Sequence, residues 1–300
     1  MLLCCTTSEI QAKEMAITFD DAPRVANGYL TGPERAKRLI ESLSQHGIHQ
    51  VTFFANSKRL DDEGLKRLNT YADAGHFIAN HTHDHPDFNK TNLKVYIENF
   101  LTAHAQLSSL TNFKKLFRFP YLREGDTQEK RDGMRALIAK HGYFNAYITL
   151  NNYDWYIETL FQNAIKQNRL KDHGAVREFY VQQLLSSIEY YDQMAIKYLG
   201  RSPKHVLLLH ENDVAALFIG DLIDALSAKG WRFISLEEAY SDEIAQYQTQ
   251  QLLKYNPGRI GEIAKDKGQN KGLWHHSLDE TYLKQQFDEL VQKSGSKEWK

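Results

Sequence analysis

Short apolar runs rich in β-branched and aromatic residues recur along the chain and alternate with stretches of helical periodicity. Their length and composition are typical of buried strands. The predicted strands cover residues 14–20, 50–56, 76–80, 115–119, 144–150, 205–210 and 231–236. Strand–helix alternation of this kind predicts an α/β fold with a mostly parallel sheet, either doubly wound or closed into a barrel.

Helices are predicted from cap signals and from apolar positions at helical spacing. Thr31 and Glu34 form the capping-box pattern of a first helix. Further helices are predicted over residues 61–73, 176–199 and 221–228, and over the polar stretch 241–254. Ser277 and Glu280 repeat the capping-box pattern before a last helix that runs to about residue 292.

The texture of the sequence predicts three parts. Residues 1–13 form an N-terminal tail, residues 14–240 the main domain, and residues 241–300 a helical extension. The first fifteen residues contain a short apolar stretch without a basic region before it. We interpret them as the remnant of an incomplete export signal, which predicts a periplasmic or extracellular protein. A frayed tail on a cytoplasmic protein is the alternative.

Composition excludes several classes of partner and cross-link. The 300 residues contain 37 Lys and Arg against 38 Asp and Glu, a formal charge of -1. That balance argues against nucleic acid or an anionic membrane as the main partner. No apolar run approaches the length of a transmembrane segment. Cys4 and Cys5 are adjacent, so the fold does not depend on disulfides.

Polar side chains follow several of the predicted strands directly. They are Asp20 and Asp21, His81 to His85, Arg118 to Tyr121, Asp154 and Trp155, and His210. Parallel strands bring their carboxyl ends to the same edge of a sheet or barrel, which is where such folds assemble their chemistry. We therefore expect these side chains to meet.

The histidine-rich stretch NHTHDHPDF predicts a metal site. His81 and His85 are four residues apart and would face the same way on a helical turn, whereas His83 would point elsewhere. Two imidazoles need a carboxylate as third ligand, and a fourth position then remains for water. For this motif in isolation, a solvated histidine-rich loop is the alternative.

The other strand ends offer acid–base groups. Asp20 and Asp21 are adjacent and would point in different directions, so that one can bind metal while the other faces substrate. Arg118 can orient a carboxylate by a forked hydrogen bond and keep it ionised. Pro120 fixes the turn and leaves the Tyr121 N–H as a candidate oxyanion donor. Taken singly, these residues also fit a helix cap, an ordinary turn and, for His210, a structural histidine.

The order of the motifs resembles one family. TFDDAP (18–23), NHTHDHP (80–86), RFPY (118–121), DW (154–155) and LLLH (207–210) are similar to the ordered motifs of the polysaccharide deacetylases, the carbohydrate esterases of family 4 with a NodB homology domain. The resemblance covers about residues 14–240 and implies an irregular (β/α) barrel with a divalent metal at its top. Ala22 and Phe119 depart from the family's glycine and proline.

The resemblance also implies roles for individual residues. Asp21, His81 and His85 would bind a divalent metal, zinc in the usual case, with cobalt or nickel as alternatives. Asp20 would be the catalytic base, oriented by Arg118. His210 would be the general acid, held protonated by Asp154. Pro120, Tyr121 and Trp155 would contact substrate, with Trp155 in the acyl pocket.

The implied activity is removal of N-acetyl groups from amino sugars of a polysaccharide or oligosaccharide, with that polymer or oligomer as the partner. One alternative is an amidohydrolase of the same fold that acts on a formylated sugar, a cyclic ureide or another small amide. A catalytically dead sugar-binding protein is disfavoured because ligands, base and acid are all present. We expect Arg123 and Glu124 to be a solvated pair, with substrate contact as the alternative. We expect the extension to pack on the barrel, with substrate binding through Trp274, His275 and His276, or dimerisation, as the alternatives.

Overall fold

The computed structural model describes residues 13–26, 28–170 and 173–295. The proposed export-signal remnant before residue 13 lies outside the described residues. The strands are β1 (Lys13–Ala22), β2 (Thr52–Ala55), β3 (Phe77–Asn80), β4 (Phe113–Phe117), β5 (Phe144–Asn145), β6 (Lys204–His210) and β7 (Trp231–Phe233).

Helices pack against the outside of the sheet, and some of them follow the last strand along the chain. They are α1 (Gly32–Gln45), α2 (Asp62–Asp73), α3 (Leu93–Leu107), α4 (Gln128–Lys140), α5 (Asp154–Lys166), α6 (His173–Leu199), α7 (Asp213–Ala228), α8 (Leu236–Ala239), α9 (Arg259–Asp266) and α10 (Glu280–Gly295). The capping box of Thr31 and Glu34 opens α1 as predicted. Helices α3, α4, α5, α8 and α9 have no counterpart among the predicted elements. In the described part of the chain, no helix is both long and apolar enough to span a bilayer.

The strands form one parallel sheet in the order β5-β4-β3-β2-β1-β6, and β7 pairs with the beginning of β1. The sheet is curled, since Leu150, shortly after β5, forms a parallel bridge with Leu207 of β6 at the other end of the strand order. The predicted irregular (β/α) barrel is therefore confirmed. Its interior is filled by small and apolar side chains, among them Ala16, Phe54 and Ala79.

The strand predicted over residues 144–150 is wrong in its length. Only Phe144–Asn145 form a strand, because the chain then changes its hydrogen-bonding partner. The Ala146 N–H donates to Phe117 of β4, whereas the Leu150 N–H donates to Val206 of β6. This crossing stretch joins the two ends of the curled sheet.

Two predictions beyond residue 240 are also wrong. The stretch 241–254 contains one short 3₁₀ turn, Glu243–Gln246, and the carbonyls of Thr249 and Gln250 accept hydrogen bonds from arginines of α4. The last helix begins at Glu280, and the Asp279 side chain caps it by accepting from the Tyr282 N–H at 2.8 Å. Ser277 hydrogen-bonds His275 instead of capping the helix.

Candidate active site

The strand-end residues meet at the carboxyl edge of the barrel. Asp20 and His210 are direct neighbours in the parallel register of β1 and β6. Asp20, Asp21, His81, His85 and His210 all line one cavity of about 530 Å³, a volume typical of small-molecule sites. The convergence predicted from the strand ends is therefore present.

Asp21, His81 and His85 form a cluster suited to a metal ion. Their ligand atoms all lie within 4.8 Å of one another. The Asp21 Oδ1 atom is 3.4 Å from Nε2 of His85 and 3.8 Å from Nε2 of His81. This oxygen is buried and has no hydrogen-bond partner among the described residues. A buried carboxylate oxygen without a partner is costly unless a cation or donor meets it, so this donor set fits a divalent cation.

Both imidazoles are prepared as ligands. The carbonyl oxygen of Arg118 lies 2.8 Å from Nδ1 of His81 and accepts its N–H, so the Nε2 lone pair faces the cluster. Burial lowers the pKa of His81 and of His85 to about 4, so both rings are neutral near pH 7. His83 turns away, with its Nδ1 2.9 Å from the Ser57 hydroxyl.

The histidines converge without the helical turn expected from their spacing. Residues 81–85 form an irregular loop in which Thr82 and His85 have φ values of 71° and 60°. Asp21 and Tyr121 also have positive φ, at 69° and 56°. Non-glycine residues rarely adopt this left-handed conformation, and such residues concentrate at functional sites.

Asp20 is held by one hydrogen bond rather than by a fork. Nη1 of Arg118 donates to Asp20 Oδ1 at 2.7 Å, while its Nε donates to the carbonyl oxygen of Ala146. The guanidinium lies inside the barrel, 3.9 Å from the centre of the Phe54 ring. Burial raises the pKa of Asp20, and Arg118 only partly opposes this effect. Arg118 therefore positions Asp20 and opposes the effect of burial, and its role in keeping this carboxylate ionised stays a prediction.

His210 and Asp154 form a second pair. Nδ1 of His210 is 2.6 Å from Asp154 Oδ1, and the His210 backbone N–H donates to Asp154 Oδ2 at 2.8 Å. Burial alone would lower the pKa of His210, but the charge and hydrogen bond of Asp154 raise it. Asp154 begins α5 instead of ending a strand, and Asn212 donates to its Oδ2 at 3.1 Å.

A buried ionic network supports the loop that follows Asp21. The Arg24 N–H donates to the Glu211 carboxylate at 2.5 Å. The backbone carbonyl of Arg24 accepts hydrogen bonds from Arg35 at 2.8 Å and from Arg67 at 2.6 Å. Glu211 directly follows His210 and is fully buried. The network therefore ties the loop after one strand end to the neighbouring strand end.

The residues expected to contact substrate lie in different settings. The Tyr121 ring packs 4.6 Å from the His85 ring, and both Tyr121 and Trp155 line the cavity. Pro120 is buried beneath this turn and is absent from the described lining of the cavity. The turn's next N–H groups are used internally, since Leu122 donates to Phe119 and Arg123 to Pro120.

Arg123 and Glu124 are not a solvated pair. Arg123 donates to Asp87 at 2.5 Å, and Glu124 accepts from Arg135 at 2.7 Å and from Asn145 at 2.8 Å. Each is thus fixed by partners on other elements.

The sequence interpretation missed much of the cavity wall. Five lining residues come from beyond residue 240: Tyr255, Asn256, Trp274, Leu278 and Glu280. Of these five, the sequence indicates only Trp274 as a candidate for substrate contact, and an aromatic residue within a polar segment is the sequence signal that Tyr255 shares with it. Besides packing on the main domain, the extension therefore forms part of the cavity wall.

Comparison with known proteins confirms the resemblance to polysaccharide deacetylases. Residues 7–145 match the family model described as polysaccharide deacetylase. A peptidoglycan-N-acetylglucosamine deacetylase of Bacillus cereus is 31% identical over 112 residues, which cover 36% of this chain and 36% of the relative. The match therefore spans about a third of that relative's length.

Solved structures share the fold. A peptidoglycan N-acetylglucosamine deacetylase superimposes with a TM-score of 0.53 at 20% identity, covering 77% of this chain and 89% of that chain. A carbohydrate esterase family 4 pseudoenzyme from Bacillus anthracis gives a TM-score of 0.52 at 17% identity, with 76% and 66% covered. Because a pseudoenzyme shares this fold, activity has to be argued from the site.

Proposed function

Because residues 7–145 match the polysaccharide deacetylase family, we propose that this chain is a metal-dependent hydrolase that removes N-acetyl groups from amino sugars of a polysaccharide or oligosaccharide. The observation that carries the proposal is one cavity that brings Asp20 and His210 beside the cluster of Asp21, His81 and His85. The bond cleaved is a linear amide, and the products are acetate and a free amino sugar.

Asp21, His81 and His85 would hold the ion, with zinc proposed and cobalt or nickel as alternatives. When bound, a divalent cation supplies Lewis acidity, which polarises the amide carbonyl and lowers the pKa of water. We propose that Asp20 removes the proton of the attacking water and that Arg118 positions this carboxylate. In this proposal, Asp20 is the general base and its neighbour Asp21 is a metal ligand.

Collapse of the tetrahedral intermediate requires a proton on the leaving nitrogen. We propose that His210, oriented by Asp154, donates that proton as the C–N bond breaks. The Tyr121 N–H is the proposed donor to the oxyanion, and the left-handed backbone of Tyr121 sets its direction. Trp155 is proposed to contact the acyl group.

The substrate proposal follows the curated relative, which acts on N-acetylglucosamine in peptidoglycan according to its name. An acetylated polymer of the cell envelope would place the protein outside the cytoplasm, and we propose that location. We also propose that residues 14–240 are the catalytic domain, with 241–300 as the extension.

The test is metal-dependent acetate release. We would strip the protein with chelator, restore zinc, cobalt or nickel, and offer N-acetylglucosamine oligomers, peptidoglycan fragments and N-acetylated monosaccharides. We expect acetate from at least one sugar only after metal is restored. No acetate from any sugar with metal bound would overturn the proposal and favour a different amide as substrate.

The His210–Asp154 pair predicts a pH dependence. Since His210 must be protonated to act, kcat/KM should fall as the pH rises through its raised pKa. Asp154→Asn removes the charge that raises this pKa, so the falling limb should move to lower pH. The measurement is a pH–rate profile of both proteins. An unshifted limb in the variant would contradict the assignment of His210 as the acid.

A further inference from the structure

The extension beyond residue 240 contributes exposed aromatic side chains to the catalytic cavity. Among the Phe, Tyr and Trp side chains that the structure describes, three are exposed: Tyr121, Tyr255 and Trp274. All three line the same cavity. Exposed aromatic rings that cluster in one cavity indicate a binding surface, because exposed rings without a role in binding would be scattered over the protein surface.

Trp274 is exposed although its chain neighbours are buried. Its side chain is 40% exposed, whereas Leu273 is 2% and His275 is 6% exposed. His275 hydrogen-bonds Ser186 of α6 at 3.1 Å, and Leu273 belongs to an apolar cluster between α6 and α9. The backbone is therefore anchored on both sides of the indole ring, which is held at the cavity without being needed for packing.

Tyr255 is held in a comparable way. The Arg123 guanidinium lies 5.2 Å from the centre of the Tyr121 ring and 5.1 Å from that of the Tyr255 ring, so it contacts both. Arg123 is fixed by Asp87, and the carbonyl of Lys254 accepts a hydrogen bond from Asn89 at 3.0 Å. The Tyr255 ring is thus connected to the loop that follows the histidine motif.

We propose that Tyr255 and Trp274 form a sugar-binding subsite that stacks on pyranose rings next to the unit being deacetylated. The C–H faces of a pyranose are apolar, and they meet the electron-rich faces of aromatic rings favourably, while the hydroxyl groups stay at the polar rim. This inference rests on the proposed function for the identity of the sugar. It assigns substrate recognition to a part of the chain outside the 7–145 family match.

The size of the cavity defines the ligand further. A volume of about 530 Å³ suits a small molecule or a short stretch of a chain. We therefore expect the subsite to favour an oligosaccharide over a single N-acetylated sugar. A monosaccharide at the Asp21 cluster would not use the stacking surface of Tyr255 and Trp274.

The test compares variants of the wall in two assays. Zinc-loaded Asp20→Asn protein, which should bind without turnover, is titrated calorimetrically with an N-acetylglucosamine tetramer. Adding Trp274→Ala or Tyr255→Ala should weaken binding by about 2- to 10-fold each, and Tyr255→Phe should restore it. In otherwise wild-type protein, the same changes should raise KM for the tetramer more than for the monosaccharide and leave kcat nearly unchanged.

Leu252→Ala is the matched control. Leu252 lies on the same segment and is 43% exposed, yet it is absent from the described lining of the cavity. Its replacement should change neither assay. Unchanged tetramer binding and KM in both alanine variants of the wall, with an active parent enzyme, would overturn the subsite. An inactive parent that still binds the tetramer through Trp274 would refute only the proposed function.

Discussion

Asp20→Asn is expected to lower acetate release by about 10²- to 10⁴-fold, the usual contribution of a positioned general base, and to leave the bound metal unchanged. Asp20 is 4% exposed and receives its hydrogen bond from Arg118 at 2.7 Å. Asparagine keeps the shape and can still accept this hydrogen bond, but it cannot take a proton from water. Steady-state rates and metal analysis of the same preparation measure the two effects separately.

The adjacent carboxylate is the internal contrast. Asp21→Asn should lose metal together with activity, because the Asp21 Oδ1 atom faces both imidazoles. If Asp20→Asn turns over at the parent rate, Asp20 is not the base. If it loses metal as Asp21→Asn does, the division of roles between the two aspartates is wrong.

His81→Ala is expected to abolish metal binding and, with it, activity. His81 is fully enclosed, and its Nε2 lone pair is directed at the cluster by the Arg118 carbonyl. Removing it leaves one imidazole and one carboxylate, which is below the three protein ligands of a catalytic zinc site. The measurement is zinc stoichiometry after dialysis, followed by acetate release with zinc resupplied.

His83→Ala provides the control for that experiment. His83 belongs to the same loop but contacts Ser57 instead of the cluster. It should retain both zinc and activity. Undiminished zinc in His81→Ala would remove His81 from the ligand set, and equal losses in the two variants would point to collapse of the loop rather than to a lost ligand.

The shared fold cannot replace these experiments. A pseudoenzyme is among the structural neighbours, at a TM-score of 0.52, so the barrel is compatible with a site that has no activity. In this chain the argument for catalysis depends on the cluster at Asp21 and on the pairs Asp20–Arg118 and His210–Asp154.

Much of the site was predictable from the sequence because its residues follow apolar strands. The strand pattern placed Asp20 and His210 at ends of parallel strands, and such ends share one edge. The TFDDAP and NHTHDHP motifs then connected these positions to a known family. The same pattern predicted β1, β6 and the first helix from local periodicity and from the Thr31 cap.

Only the tertiary structure decided how these groups meet. His81 and His85 converge through left-handed backbone, which spacing alone does not reveal. Arg118 uses one nitrogen for Asp20 and donates its Nε to Ala146, which lies on the stretch that crosses from β4 to β6. Contacts between distant segments hold Tyr255 and Trp274 at the cavity. Trp274 is next to His275, which hydrogen-bonds α6, and Tyr255 is next to Lys254, whose carbonyl accepts from Asn89. Local patterns determine strands, caps and motifs, whereas contacts between distant segments depend on which surfaces the folded chain buries together.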